Sequence, residues 1–151
     1  MVSIIEYEDK YASRFKELNL EWLDKYGLTE EGDLAMLNDP RGKIIDTGGA
    51  LFLAADGDEI VGSAALIQEG AGEYELAKMA VAETWQGKGI SKLLIQKCLS
   101  TAKELGAKRI YLVSNSQLTT AISLYEKYGF THTPVIDAHY LTADVMMELI
   151  L

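Results

Sequence analysis

The chain has 151 residues, 48% hydrophobic and 25% charged, with a formal net charge of −9. That length and balance suit a single domain over residues 1–151 with room for a sizeable core. The acidic surplus argues against nucleic acid as a partner, the lack of an apolar run of roughly eighteen residues argues against a membrane span, and a lone cysteine rules out an intrachain disulfide.

The elements follow in chain order. Val2–Tyr7 reads as a strand. Asp9 is placed to cap a helix from about Lys10 to Tyr26, with Tyr11, Phe15, Leu18, Trp22 and Leu23 as apolar positions and Gly27 as its end. Glu30–Leu37 predicts a short second helix. Arg41–Gly49 reads as loop, with an extended piece at Lys43–Asp46. Ala50–Ala55 and Ile60–Gln68 are strand-like, joined by the hairpin signal Asp56-Gly57-Asp58-Glu59. A third strand, Glu73–Val81, completes an antiparallel meander. Leu94, Ile95, Cys98, Leu99, Ala102 and Leu105 then form one apolar helix stripe that Gly106 ends. Lys108–Ser114 is the next strand, and a right-handed crossover makes it parallel to Glu73–Val81. Leu118–Tyr128 predicts a helix closed by Gly129 and Phe130, followed by strands at Phe130–Val135 and Asp144–Leu151. The fold class is α/β, with one mixed, mainly antiparallel sheet flanked by helices.

Between the third strand and the central helix lies Gln86-Gly87-Lys88-Gly89-Ile90-Ser91. A helix start offers unpaired N–H groups and the positive end of the macrodipole. Glycines before it let an anion approach the main chain, and a phosphate is the usual guest. Residues 86–109 carry six cations and one acid, a net of +5 within a chain of −9. This basic island points to an anionic ligand; a solvated lysine-rich helix face is the alternative. Neither a P-loop nor a three-glycine dinucleotide fingerprint is present.

Gln86–Ser91 resembles the pyrophosphate loop of the GNAT acetyltransferases, Gln/Arg-x-x-Gly-x-Gly/Ala, with Gln86, Gly89 and Ser91 at the motif positions. Ser91 replaces the usual Gly or Ala. Ala121-Ile122-Ser123-Leu124-Tyr125-Glu126-Lys127-Tyr128-Gly129-Phe130 resembles the same family's Ala-Ile-x-Leu-Tyr-x-x-x-Gly-Phe segment. The resemblance covers roughly residues 50–135. It implies acetyl-coenzyme A as cosubstrate, held in a gap between the two parallel strands. Gln86, Gly87, Lys88, Gly89, Ile90 and Ser91 would take the pyrophosphate, and the main chain at Met79 and Val81 the pantetheine arm.

Acetyl transfer to an amine needs a route for the amine proton and a donor for the leaving thiolate. Glu75, read as sharing a strand face with Ala77, Met79 and Val81, fits the family's base, with Glu73 in reserve; a strand-end carboxylate in solvent is the other reading. Tyr125 fits the family's general acid, or is a core aromatic. The family's usual Asn seven residues earlier is here Leu118. Asn115 could replace it as a cofactor contact, or serve as a helix N-cap. His139 and Tyr140 fall where the family often borders its acceptor pocket; a surface-loop histidine is the other reading. Cys98 reads as a buried hydrophobe, and nothing resembles a metal site.

The expectation is therefore an N-acetyltransferase in which an amine attacks acetyl-coenzyme A directly. A non-catalytic acyl-coenzyme A sensor of the same fold is the alternative. The acceptor is a small-molecule amine or a peptide, without nucleic acid or membrane, in a cytoplasmic setting; a homodimer stays open. Residues 1–35 hold nine acids against four bases; a mouth lined with these carboxylates would favour a cationic acceptor, with Trp22 and Tyr26 as an aromatic wall, and the alternative is that both rings are core and the acids face bulk water.

Overall fold

The computed structural model describes residues 1–136 and 141–151. Among these residues the strands are β1 (Val2–Glu6), β2 (Ala50–Asp56), β3 (Glu59–Gly70), β4 (Glu73–Val81), β5 (Arg109–Ser114), β6 (Thr131–Thr133) and β7 (Val145–Ile150). The helices are α1 (Ala12–Lys25), α2 (Glu31–Asn38), α3 (Ile90–Glu104) and α4 (Thr119–Lys127). The strands form one sheet in the order β1-β2-β3-β4-β5-β7-β6. Only the β4–β5 pair is parallel, as the crossover through α3 predicts.

Each sheet face carries its own core. On one side α3 lays Leu94, Ile95, Cys98 and Ala102, all fully buried, against β2, β3 and β4, with Tyr125 and Phe130 at the α4 end. Gly62 of β3 permits that approach, since a Cβ there would sit 3.2 Å from the Ala80 carbonyl oxygen, Ile90 Cγ2 and Leu94 Cδ1. On the other side Phe15 and Leu18 of α1 and Leu37 of α2 pack with Leu51, Leu53 and Ala65. Leu105, expected on the α3 stripe, is instead the exposed C-cap residue.

Helices α3 and α4 end in the same way. Gly106 and Gly129 adopt φ of 78° and 96°. The next residues, Ala107 and Phe130, then donate back to the Ala102 and Tyr125 carbonyls at 2.9 and 3.1 Å. This is the glycine-closed ending read from the sequence.

Several boundaries differ from expectation. Asp9 does not cap α1; it sits in a short helical turn, Asp9–Tyr11, and accepts from Arg41 Nε at 2.8 Å. Lys43–Asp46 is not extended. Arg41–Ile45 is helical because Pro40 already has helical φ and the Asp39 carboxylate accepts from the Gly42 N–H at 3.1 Å. The Phe130–Val135 strand shrinks to Thr131–Thr133. Phe130 is held by the end of α4, and Pro134 lacks the N–H to continue the ladder.

Two irregularities in β4 position the site. The β4–β5 ladder holds Glu73↔Arg109, Tyr74↔Ile110 and Glu75↔Tyr111 and then stops, although β4 runs on to Val81 and β5 to Ser114. The strands part into a wedge. Within it β4 carries a bulge: Ser63 and Ala65 of β3, two apart, face Ala80 and Ala77 of β4, three apart. The extra residue brings Lys78 to φ 52°, a left-handed conformation rare outside glycine. Ser63 Oγ donates to the Lys78 carbonyl at 2.7 Å and accepts from Asn19 Nδ2 at 3.0 Å, so the bulge rests on a buried polar chain.

Candidate active site

A cavity of about 580 Å³ opens through the wedge and is lined from both sheet faces. Its anionic end is the glycine loop. Gly87 and Gly89 have φ of 78° and 81°, and Gly89 is the N-cap of α3. A Cβ at either would meet nothing within 4 Å, so the main chain fronts open space before a helix start. That is a cradle for an anion. Gln86, Gly87, Gly89, Ile90 and Ser91 line the cavity. Gln86 Nε2 also donates to the Val81 carbonyl at 3.2 Å, tying the loop to the strand. Lys88 is not part of the lining; its ammonium lies 5.7 Å from the Trp85 ring centroid. Lys92, within the basic island but not singled out by the motif, lines the cavity instead.

Met79 and Val81 pack on the α3/α4 side of the sheet. The Tyr125 hydroxyl lies 4.0 Å from Met79 Sδ and its ring centroid 6.0 Å from that of Phe130. Tyr125 is thus both a core aromatic and part of the cavity wall. Burial pushes its phenol up to about 12, and also lifts the Cys98 thiol to about 12, which leaves Cys98 a buried hydrophobe.

Glu75 is only 4% exposed and lines the cavity. It is not a strand-end carboxylate in solvent. Its pKa rises from 4.5 to about 7, first by burial, then by the charge of Glu69, which is also hydrogen-bonded to it; Lys78 pulls the other way. The shared face expected for Glu75, Ala77, Met79 and Val81 does not exist. Ala77 packs with the α1/α2 core, whereas Met79 and Val81 belong to the α3 core, because the bulge at Lys78 reverses the alternation. Glu73 is exposed, 3.5 Å from Arg109 Nη1 and outside the cavity lining, so it is no alternative to Glu75.

Asn115 lines the cavity at the end of β5, but it is not the α4 N-cap. Its Nδ2 donates to the Thr142 carbonyl at 2.7 Å, and its Oδ1 accepts from the Gln117 N–H at 3.0 Å. Leu118 lines the cavity nearby. Residues Leu141 to Asp144 form a strap. The Glu30 carboxylate accepts from the N–H groups of Leu141 and Thr142 at 2.9 Å, while Asp144 accepts from Ser116 N and Oγ at 2.8 Å. These bonds hold the Glu30 and Asp144 carboxyls below the usual range. His139 and Tyr140 lie outside the described residues.

The α1/α2 side holds what the sequence did not announce. Lys78 pairs with Asp33, both side chains being almost fully buried. Trp22 and Tyr26 line this side with ring centroids 4.9 Å apart. Of the nine acids in residues 1–35, Asp33 alone lines the cavity, and Lys78 neutralises it. Glu30 is bound to the strap, and the other seven are exposed away from the lining. The expected carboxylate-lined mouth is absent from the described residues.

The sequence pattern of the Acetyltransferase (GNAT) family matches residues 12–130. The chain belongs to the GNAT acetyltransferase family. It is 35% identical over 101 residues to the uncharacterized N-acetyltransferase YvbK of Bacillus subtilis, a match spanning 65% of each chain. A GNAT-family acetyltransferase structure from Staphylococcus aureus superposes with a TM-score of 0.91 over 98% of both chains at 23% identity. The PaiA N-acetyltransferase of Thermoplasma acidophilum, solved with coenzyme A, superposes at 0.79 over 100% of this chain and 99% of that one, at 16% identity. The wedge, loop and helices described above are thus arranged on the GNAT fold. Among the described residues no helix is long and apolar enough to cross a membrane.

Proposed function

We propose that this GNAT protein transfers an acetyl group from acetyl-coenzyme A to a primary amine by direct attack. The observation that carries this reading is the cavity through the wedge, with Tyr125 on one sheet face and Glu75 on the other. The open glycine cradle and the stretch of β4 beyond Glu75, where the β5 ladder has ended, fit a pyrophosphate and an extended arm. Coenzyme A bound to a structural relative supports the same choice of cosubstrate.

Acetyl-coenzyme A supplies an activated thioester and a thiolate leaving group. Gln86, Gly87, Gly89, Ile90, Ser91 and Lys92 hold the pyrophosphate through loop N–H groups and one ammonium, with Lys88 adding only its field. Met79 and Val81 offer main-chain groups along the strand edge. Asn115 acts on this site through the strap, which it fixes at Thr142.

A free alkylamine is mostly protonated at neutral pH. Glu75, about half ionised near pH 7, accepts that proton directly or through water. As the carbon–nitrogen bond forms and the carbon–sulfur bond breaks, the new amide nitrogen gives up its remaining extra proton to solvent, and Tyr125 donates its proton to the sulfur and regains one from solvent. Residues 1–151 act in this reaction as one domain, in a cytoplasmic setting.

The test is thiol release from acetyl-coenzyme A with and without a panel of amines, with the acetylated product identified by mass spectrometry. Amine-dependent release is expected. Binding of acetyl-coenzyme A without release across the panel would identify a sensor and overturn the proposal.

A further inference from the structure

Beyond the reaction class, the α1/α2 side of the cavity has a composition that selects among amines. Its wall is Trp22, Leu23, Tyr26 and Leu28, with Glu75, Asp33 and Lys78 as its charged groups among the described residues. The last two neutralise each other. Glu75, with its pKa raised by burial to about 7, is partly neutral at neutral pH. Trp22 and Tyr26 meet at an interplanar angle of 60° with centroids 4.9 Å apart, forming an aromatic corner rather than a flat stack. Both are half-buried, so part of each ring still faces the cavity.

We infer that the acceptor is a monoamine on an apolar, aromatic body, seated in the Trp22–Tyr26 corner with its amine toward Glu75. This rests on the acetyltransferase reading above. The corner offers a ring edge-to-face and offset contacts with Trp22 and Tyr26. Among the described residues that line the cavity, the single carboxylate able to take a proton sits where one amine must lose it. A second cation, as in a polyamine, would leave water without a partner, because Asp33 already holds Lys78. An acceptor carboxylate would face Glu75 and the same closed pair. Of the other acids of residues 1–35, Glu30 is taken up by the strap and seven are exposed outside the cavity lining, so none offers a cation a partner inside it.

The experiment compares kcat/KM for phenethylamine and tryptamine, spermidine, an aminoglycoside, glutamate and a short alkylamine, at about 0.05 and 0.5 M salt. The arylalkylamines are expected to lead, with little salt dependence. Tyr26→Ala should lower kcat/KM for phenethylamine by at least about tenfold while barely changing the short alkylamine. Acetyl-coenzyme A affinity, measured by calorimetry, should hold in the variant. Trp22→Phe keeps an aromatic ring in the corner and should retain most of the preference, which covers the case in which Tyr26→Ala fails to fold. Preference for spermidine, the aminoglycoside or glutamate would overturn this inference and leave the acetyltransferase reading standing, as would equal losses for aromatic and alkyl amines in Tyr26→Ala. No thiol release with any amine would overturn both.

Discussion

On the α3/α4 side of the wedge, the anion end of the cavity offers main chain: the Gly87–Gly89 cradle, the β4 edge where the β5 ladder has ended, and the first turn of α3. On the α1/α2 side it is side chain, drawn from α1, α2, the β4 bulge and the strap. The first surface suits a ligand part that never changes, since N–H groups and a helix start recognise phosphate whatever the neighbouring side chains are. The second can be rebuilt residue by residue without disturbing the first. The bulge joins them, because the extra residue at Lys78 sends Ala77 to one face and Met79 to the other.

The sharpest way to break this division is at Lys78. Lys78→Met would leave Asp33 buried without its cation, and breaking such a pair from one side costs about 3–5 kcal/mol. Urea unfolding should show that loss. The double variant Lys78→Met with Asp33→Leu should recover part of it, since replacing a whole buried pair with apolar groups is often near neutral, less the α2 capping bond that Asp33 accepts from the Glu30 N–H at 2.9 Å. If the single variant unfolds at the wild-type urea midpoint, the pair does not hold the two sides together.

The next effect is a pH signature at Glu75. Its folded pKa, about 7, lies above the ordinary 4.5, so burial favours the neutral acid. The contribution to stability is therefore complete below about pH 4.5 and is lost as pH rises to about 7, a span worth roughly 3 kcal/mol. Glu75→Gln removes this dependence. Relative to wild type, the variant should gain stability between pH 4.5 and 8, and denaturant titrations at both pH values measure the gain. The same substitution should abolish the rise of kcat/KM through pH 7. A wild type and variant with parallel stability profiles would show that Glu75 is not held neutral.

These contrasts also explain what the sequence could and could not disclose. The glycine loop is six consecutive residues, and Leu124-Tyr125 through Gly129-Phe130 is one helix end, so each carries its pattern locally. The meander, the crossover and the glycine-closed ends of α1, α3 and α4 follow from period and punctuation in the same way. The bulge has no such mark: lysine is not a turn residue, and Ala77-Lys78-Met79 reads as ordinary alternation. Lys78 and Asp33 lie 45 residues apart, and Glu30 and Thr142 lie 112 apart, so their meeting depends on the whole fold. A count of acids in the first 35 residues could not tell which of them turn inward; burial admits only Asp33, beside its lysine.

A third effect separates chemistry from binding on the α3/α4 side. Tyr125→Phe deletes the hydroxyl 4.0 Å from Met79 Sδ and keeps the ring against Phe130. A general acid is worth roughly 10²-fold in rate. Single-turnover kinetics should show kcat falling by about that factor with the affinity for acetyl-coenzyme A nearly unchanged, since the hydroxyl acts on the leaving thiolate. An unchanged kcat would leave Tyr125 as packing alone.

The smallest effect tests the main-chain surface itself. Gly89 holds φ 81° at the α3 N-cap, with open space where a Cβ would stand. Gly89→Asp places a carboxylate in that space, against the phosphate and at the same helix start. Affinity for acetyl-coenzyme A should fall at least tenfold, about 1.4 kcal/mol. The φ of this position adds its own cost for any L residue, about 1–2 kcal/mol of stability. Gly89→Ala carries that strain without the charge, so it isolates the two contributions. Calorimetry on both variants should find Gly89→Ala closer to wild type in affinity and similar to Gly89→Asp in thermal stability. Equal affinity in all three proteins would remove the glycine loop from the binding site, and with it the contrast between a main-chain wall and a side-chain wall.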